Sequence, residues 1–290
     1  MKNLRKFSVV ALIAFFCGLF LAGNEAKAQV IEVGGSVGLS YYMGDINPKK
    51  PFSQSKLGWG VIVRYYNGTR WAFRLAYSNL QIAGSDEASG YNTERGLSFT
   101  NNIHDIALLA EFNFLDYFTG SKRHGLTPYL VGGISVLKFN PKAEDGTELC
   151  NVHTDVDYSG TMTYDGEKKY NTFALSIPFG LGVKYSVSQH IGLACEWRWH
   201  LALTDWLDDC HGYYPTYEHD SQGNLPTWLP YADPTGYTAD INGENHMKFI
   251  QRGNPTDLDW YGYLNLTLTY KFNIPQGKNC NIRGKYKNFD

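Results

Sequence analysis

LNLTLTYKF, residues 264–272, sets Leu264, Leu266, Leu268, Tyr270 and Phe272 against Asn265, Thr267, Thr269 and Lys271. Successive side chains of a strand point to opposite faces, so this stretch makes one greasy face and one polar face. A half-buried strand of a soluble sheet fits that pattern, and so does a strand whose apolar face meets lipid. The rest of the chain separates the two readings.

Seven more segments of the same kind lie near residues 31–43, 57–66, 71–82, 103–114, 127–139, 172–186 and 191–204, and the eighth spans 260–272. Most are longer than the strands of soluble sheets and suit tilted crossings of a bilayer. In one, Phe173, Leu175, Ile177, Phe179, Leu181, Val183 and Tyr185 oppose Ala174, Ser176, Pro178, Gly180, Gly182 and Lys184. In the next, Ile191, Leu193, Cys195, Trp197, Trp199 and Leu201 oppose Gly192, Ala194, Glu196, Arg198 and His200. A soluble barrel would hold its large apolar side chains inside. Here the polar face is rich in Gly, Ala and Ser beside a few charges, which suits a crowded narrow lumen, and the unbroken large face suits lipid.

Connection lengths point the same way. NGTR joins the second and third segments and SQH the sixth and seventh, whereas 44–56, 83–102, 140–171 and 205–259 are long; DYFTGSKRHGL, between the fourth and fifth, is intermediate. Short links on one rim and long ones on the other are the habit of outer-membrane barrels, with short turns periplasmic and long loops outside. The expected fold is all-β, an eight-stranded antiparallel transmembrane β-barrel, over residues 29–272. Residues 264–272 are its closing strand, and 273–290 form a periplasmic tail.

The N-terminus agrees with export. MKNLRK is basic, FSVVALIAFFCGLFLAG is apolar, and Ala26-Lys27-Ala28 is a small-x-small cleavage signal, so residues 1–28 read as a secretory signal peptide. The chain carries 26 basic and 28 acidic residues. Removing Lys2, Arg5, Lys6, Lys27 and Glu25 leaves a net charge of about −5 with no basic stripe, which argues against nucleic acid as a partner. Cys150, Cys195, Cys210 and Cys280 have neither zinc spacing nor the density of a disulfide scaffold. Cys150 and Cys210 fall in long loops on one rim outside the cytosol, so a disulfide between them is a candidate. Aromatics make up 15% of the residues. Trp59, Trp71, Trp197, Trp199, Trp260, Tyr41, Tyr65, Tyr77 and Tyr185 stand near strand ends and read as interfacial girdles.

SYYMGDINP (40–48), SFTNNIHDIALLAEFNF (98–114), PYLVGGISVLKFNP (128–141), PFGLGVKY (178–185), TDWLDD (204–209) and DWYGYLNLTLTYKF (259–272), in that order, resemble the PorG-like outer-membrane proteins of Bacteroidota. The resemblance implies an eight-stranded barrel in the bacterial outer membrane that serves, without catalysis or cofactor, as a component of the type IX protein secretion machinery, linked to gliding in some members. It also implies contact with the periplasmic ring subunits, a PorK-like lipoprotein and a PorN-like protein. The connection from Asp116 to Leu126 and the basic tail, with Lys278, Arg283, Lys285 and Lys287, are the surfaces available for that contact.

Other classes leave weaker traces. A lipid-modifying enzyme would need a nucleophile with a histidine and an acid, and His104-Asp105 and His200 with Asp205 are the places to look. Adjacent residues face opposite ways on a strand, so His104 and Asp105 cannot share a site. Asp205, Asp208 and Asp209 offer hard oxygens, with Asp257 and Asp259 near, but lack the order and turn glycine of a calcium loop, so solvated turn carboxylates are the reading. A porin needs about sixteen strands for an open channel, and an adhesin would act through the long loops. On the inward face, Glu32, Arg64, Arg74, Glu111, Lys184, Glu196 and Lys271 all fall near the short-turn rim. Strand order pairs Arg74 with Glu111, Lys184 with Glu196, and Glu32 with Arg64 and Lys271: a charged plug whose loss should cost more stability than a change at a long-loop residue such as Asp233.

Overall fold

The computed structural model describes residues 30–152, 154–155, 170–215, 222–236 and 250–273. The expected signal peptide at 1–28 and the tail residues Lys278, Arg283, Lys285 and Lys287 lie outside them.

Eight long strands close on themselves: β1 (Val30–Met43), β2 (Lys56–Asn67), β3 (Trp71–Ser85), β4 (Ser98–Asn113), β5 (Leu126–Lys138), β7 (Phe173–Ser186), β8 (Ile191–Ala202) and β9 (Trp260–Asn273). A two-residue strand, β6 (Pro141–Lys142), adds to the outer end of β4. The hydrogen-bonded order β3-β2-β1-β9-β8-β7-β5-β4 returns to β3 through a β3–β4 pairing, so no barrel edge is left open. Neighbours are antiparallel throughout, and the closing seam pairs Glu32 with Lys271 and Ser40 with Tyr263.

The outward residues of each strand are large, apolar and exposed: Val37 at 58%, Leu75 at 53%, Leu181 at 51% and Leu268 at 57%. In water such a belt would be prohibitive; around a closed barrel it is the surface that meets lipid. The protein is therefore an outer-membrane barrel. Connections 68–70, 114–125 and 187–190 share the short rim, and those after β1, β3, β5 and β8 share the long one.

Two features depart from the pattern reading. β3 and β4 run past the membrane as a paired hairpin to Ser85 and Ser98, where a loop from 83 to 102 was expected. Ser98 and Thr100 give no apolar outward face there because that face meets water, while Phe99 and Ile82 stay buried on the inner side at 2% and 0% exposure. Tyr41 is not an open girdle residue but buried. Its ring lies over Gly262, where any Cβ would collide with it, and its hydroxyl accepts from Trp197 Nε1 at 2.8 Å. Phe52, at φ 67°, covers it with ring centroids 4.3 Å apart.

Candidate functional site

The inward charges form one layer near the periplasmic mouth. Glu32, Arg64, Arg74, Glu111, Lys184 and Glu196 are each at most 2% exposed, and Lys271 is 6% exposed. Glu111 is the hub: its carboxylate takes Arg64 Nε at 2.9 Å, Arg74 Nε at 3.0 Å and Lys184 Nζ at 2.5 Å. Arg64 also reaches Glu32 at 2.9 Å, and Arg74 reaches Glu196 at 2.6 Å. Tyr129 donates to Glu196 at 2.7 Å and Tyr66 to Glu32 at 3.3 Å.

Two expected pairings are absent, and one participant was missed. Lys184 serves Glu111 and Asn113 rather than Glu196. In register Glu196 stands opposite Gly182, and Arg74 occupies it from across the lumen. Lys271 faces Glu32 in the ladder, yet its ammonium donates to the Thr119 carbonyl. Arg198, which the sequence places on the inward face without a role, stands 3.5 Å from Glu196 and over the Tyr263 ring. Strand neighbours are not the only neighbours in so narrow a lumen, because long side chains span it.

The mouth itself is closed by the β4–β5 connection. Tyr117 and Thr119 fold up into it and are each 2% exposed; Thr119 donates to Glu32, and Tyr117 packs its ring 6.2 Å from that of Tyr66. A polar hairpin sequence gave no sign of this inward turn.

Higher in the lumen, Asp105 receives hydrogen bonds from Ser135 at 3.0 Å and Tyr261 at 2.9 Å and faces His200 Nδ1 at 3.3 Å. His104 points to the outer face, where Tyr77 and Asn79 contact it. Ser176 lies 3.4 Å from the same Nδ1 atom of His200. A hydrolytic triad puts the acid on one imidazole nitrogen and the nucleophile on the other. Here both crowd one nitrogen, inside a fully buried cluster. The proposed partnership of His200 with Asp205 is not formed either: Asp205 pairs with His211 at 2.7 Å.

Over the outer end, the long connections build a cap fastened by two buried arginines. Arg95 holds Asp86 at 2.6 and 2.8 Å, the Arg252 carbonyl at 2.5 Å and the Asp45 carbonyl at 3.0 Å. Arg252 holds Asp155 at 3.2 Å, the Asp209 carbonyl and the Ala232 carbonyl at 3.2 Å. Four connections are thus tied together. Beneath them Leu97, Phe139, Leu149 and Leu207 join one apolar cluster with Tyr42, Phe99 and Tyr261.

Asp205, Asp208 and Asp209 are not solvated turn carboxylates; they are buried in this cap and turn to different partners. Asp208 meets Tyr42, and Asp209 meets Thr154 at 2.6 Å and Tyr170 at 3.0 Å. Among the described residues no group of three or more His, Cys, Asp or Glu stands in a metal-holding arrangement. The candidate Cys150–Cys210 disulfide is not formed. Cys150 donates to Asn140 Oδ1 at 3.3 Å, and Cys210 donates to the Arg252 carbonyl at 3.1 Å while receiving Arg95 Nη1 at 3.2 Å. The apolar core of the cap buries both thiols and engages each separately.

A charge layer below, a plugged mouth and a fastened cap all obstruct the described lumen. Purified protein in planar bilayers is expected to give no steady conductance; a large, stable one would overturn the plug and favour a porin.

No curated protein sequence matches the chain. Solved structures with the same architecture include Neisserial surface protein A, at 12% identity and TM-score 0.37, covering 86% of this chain and all of that one. Ail, the attachment invasion locus protein of Yersinia pestis, has 9% identity and TM-score 0.37, covering 85% of this chain and 99% of that one. The outer-membrane enzyme PagL has 12% identity and TM-score 0.28, covering 85% of this chain and all of that one. One family profile, described as a domain of unknown function, DUF6089, matches residues 10–238. Because that match takes in most of the length of the chain, the protein belongs to the DUF6089 family.

Proposed function

We propose that this barrel is a non-enzymatic component of the type IX protein secretion machinery, a membrane anchor that contacts the periplasmic ring of PorK-like and PorN-like subunits. The resemblance of six ordered sequence segments to PorG-like proteins suggests the machinery. The observation that supports an anchoring role is the β4–β5 connection. It is rooted in the lumen through Thr119 and Tyr117, and it carries Lys122 and Arg123, both exposed, on its periplasmic tip. A tip rooted in a rigid charge layer can bear load or hold a partner in register, as a loose hairpin could not. The tail residues Lys278, Arg283, Lys285 and Lys287 are the second basic set that this reading assigns to the contact.

Charge reversal at the tip tests the reading. Lys122→Glu with Arg123→Glu should lower co-isolation of the ring subunits from crosslinked membranes several-fold while the amount of folded barrel stays the same. Unchanged recovery would remove the tip from the interface; a second variant lacking residues 274–290 tests the tail in the same assay. Recovery of no ring subunit with the unaltered protein would reject the secretion assignment itself.

A further inference from the structure

Three segments meet at the base of the cap in one hydrogen-bonded bridge. Tyr42 lies at the end of β1, Asp208 in the connection after β8, and Asp259 immediately before β9. None is more than 2% exposed. The Tyr42 hydroxyl is hydrogen-bonded to Asp208 Oδ2 and, at 2.9 Å, to Asp259 Oδ1. The other carboxyl oxygens are occupied: Asp208 Oδ1 accepts the Cys210 N–H at 2.9 Å and Asp259 Oδ2 the Leu207 N–H at 2.8 Å.

Counting donors decides the protonation. A phenol has one proton to give and can serve one carboxylate. The second contact needs a proton on the other carboxyl, donated to the phenol oxygen. Otherwise two buried carboxylates would face one hydroxyl with a lone pair against one of them, which is costly in a dry site.

Arg95 acts on Asp208 through its charge and lowers its pKa, without a hydrogen bond to that carboxyl. Asp45 adds negative charge beside both carboxyls, and exposed Asp257 adds more beside Asp45. Arg95 is committed to Asp86 and to the Asp45 and Arg252 carbonyls, Arg252 to Asp155 and Asp209, and His211 to Asp205. Among the described residues none of these cations is hydrogen-bonded to the Asp208 or Asp259 carboxyl. Burial, with the Asp45 carboxylate beside it, pushes Asp208 up to about 7. Burial and Asp208 push Asp259 well above the usual carboxylate range.

We propose that Tyr42, Asp208 and Asp259 form a proton-holding clip that fastens the connection after β8 to the β1–β9 seam, closing the cap while the bridge keeps its shared proton and loosening it once the proton is lost. In an opened, hydrated cap these carboxyls return to about 4. The stabilisation is therefore complete below about pH 4 and is lost as pH rises toward the closed-state value of the pair's last proton, which burial and the charge of Asp208 hold on Asp259 well above the usual carboxylate range. In that interval opening releases a proton, so the opening equilibrium grows about tenfold per pH unit.

Hydrogen–deuterium exchange of the full chain in lipid nanodiscs tests the clip independently of any secretion role. Rates are divided by the intrinsic amide rate at each pH and read in peptides covering 203–215 and 44–48, with 191–202 of β8 as the internal reference. In the unaltered protein, protection of the first two should fall at least tenfold between pH 5 and pH 8 while the reference holds. Asp259→Asn keeps a donor for the phenol that cannot titrate. It should match the unaltered protein at pH 5 and exceed its protection at least tenfold at pH 8, and Asp208→Asn should do the same. A pH-independent cap in the unaltered protein overturns the clip, whatever the variants do. So do variants that loosen with pH in parallel with it.

Discussion

Glu111→Ala should strip the barrel of much of its heat resistance, more than any single change in the long loops. Three cations converge on that carboxylate within 3.0 Å. Arg64 and Arg74 are direct partners across the β2–β3 ladder, so removing the anion leaves like charges face to face. Arg64 retains Glu32 and Arg74 retains Glu196, but Lys184 keeps Asn113 and the faces of the Tyr129, Tyr66 and Tyr117 rings, 4.3, 5.4 and 5.9 Å from its ammonium, with no carboxylate in place of Glu111 among the described residues. Removing one partner from a buried ion network costs about 3–5 kcal/mol, mostly because of the charge left behind. Glu196→Ala should cost less, since Arg74 still has Glu111. The proper comparison is Glu87→Ala, an exposed cap residue, expected within about 0.5 kcal/mol. Asp233 does not serve as that comparison, because it is buried at 6% exposure. Stepped heating before electrophoresis, scored as folded against unfolded band, reads the difference. If the cost is the stranded ammonium, adding Lys184→Met should restore part of the loss; a Glu111→Ala barrel that melts with the unaltered protein would show that the layer is hydrated and unimportant.

The strand pattern carried the barrel because its information is local: period-two alternation and loop length need no knowledge of partners. Leu266, Leu268, Tyr270 and Phe272 face outward in the structure, and Asn265, Thr267, Thr269 and Lys271 inward, as their spacing required. The inward charges were legible as a set for the same reason. Which carboxylate takes which cation was not, since Arg74 reaches Glu196 across the lumen and Lys184 is offset by two residues from Glu196 in the ladder. The cap was the least legible part. Arg95 and Arg252, far apart in sequence and each in a polar loop, look like solvated surface charges until the fold brings the Asp45 and Cys210 segments to them. Aspartates 205, 208 and 209 read as exposed for the same reason: burial created by other loops leaves no periodic trace.

Gly38→Val should prevent the barrel from closing at all. Gly38 faces the lumen on β1 and pairs across the seam with Asn265. A Cβ there would stand 2.1 Å from the Leu264 carbonyl oxygen and 2.6 Å from the Asn265 Cα, both backbone atoms that no rotamer change can move aside. The β1–β9 ladder is the pairing that joins the first strand of the chain to the last. An unclosed sheet would carry two rows of unpaired amides into hydrocarbon, where each unmet group costs several kcal/mol, so partial closure is not a stable compromise. The expected outcome is loss of the heat-modifiable folded band and of membrane-inserted protein. Gly35→Val supplies the contrast on the same strand: it points to the lipid face, and the nearest atom to its Cβ, the Gly60 carbonyl oxygen, is 3.7 Å away. That variant should insert and migrate as the unaltered protein does. Since both substitutions add the same β-branched side chain, strand propensity cancels and only the approach of β9 separates them. Equal folding of the two variants would mean that the seam is wider than the register of Ser36 with Thr267 and Gly38 with Asn265 requires.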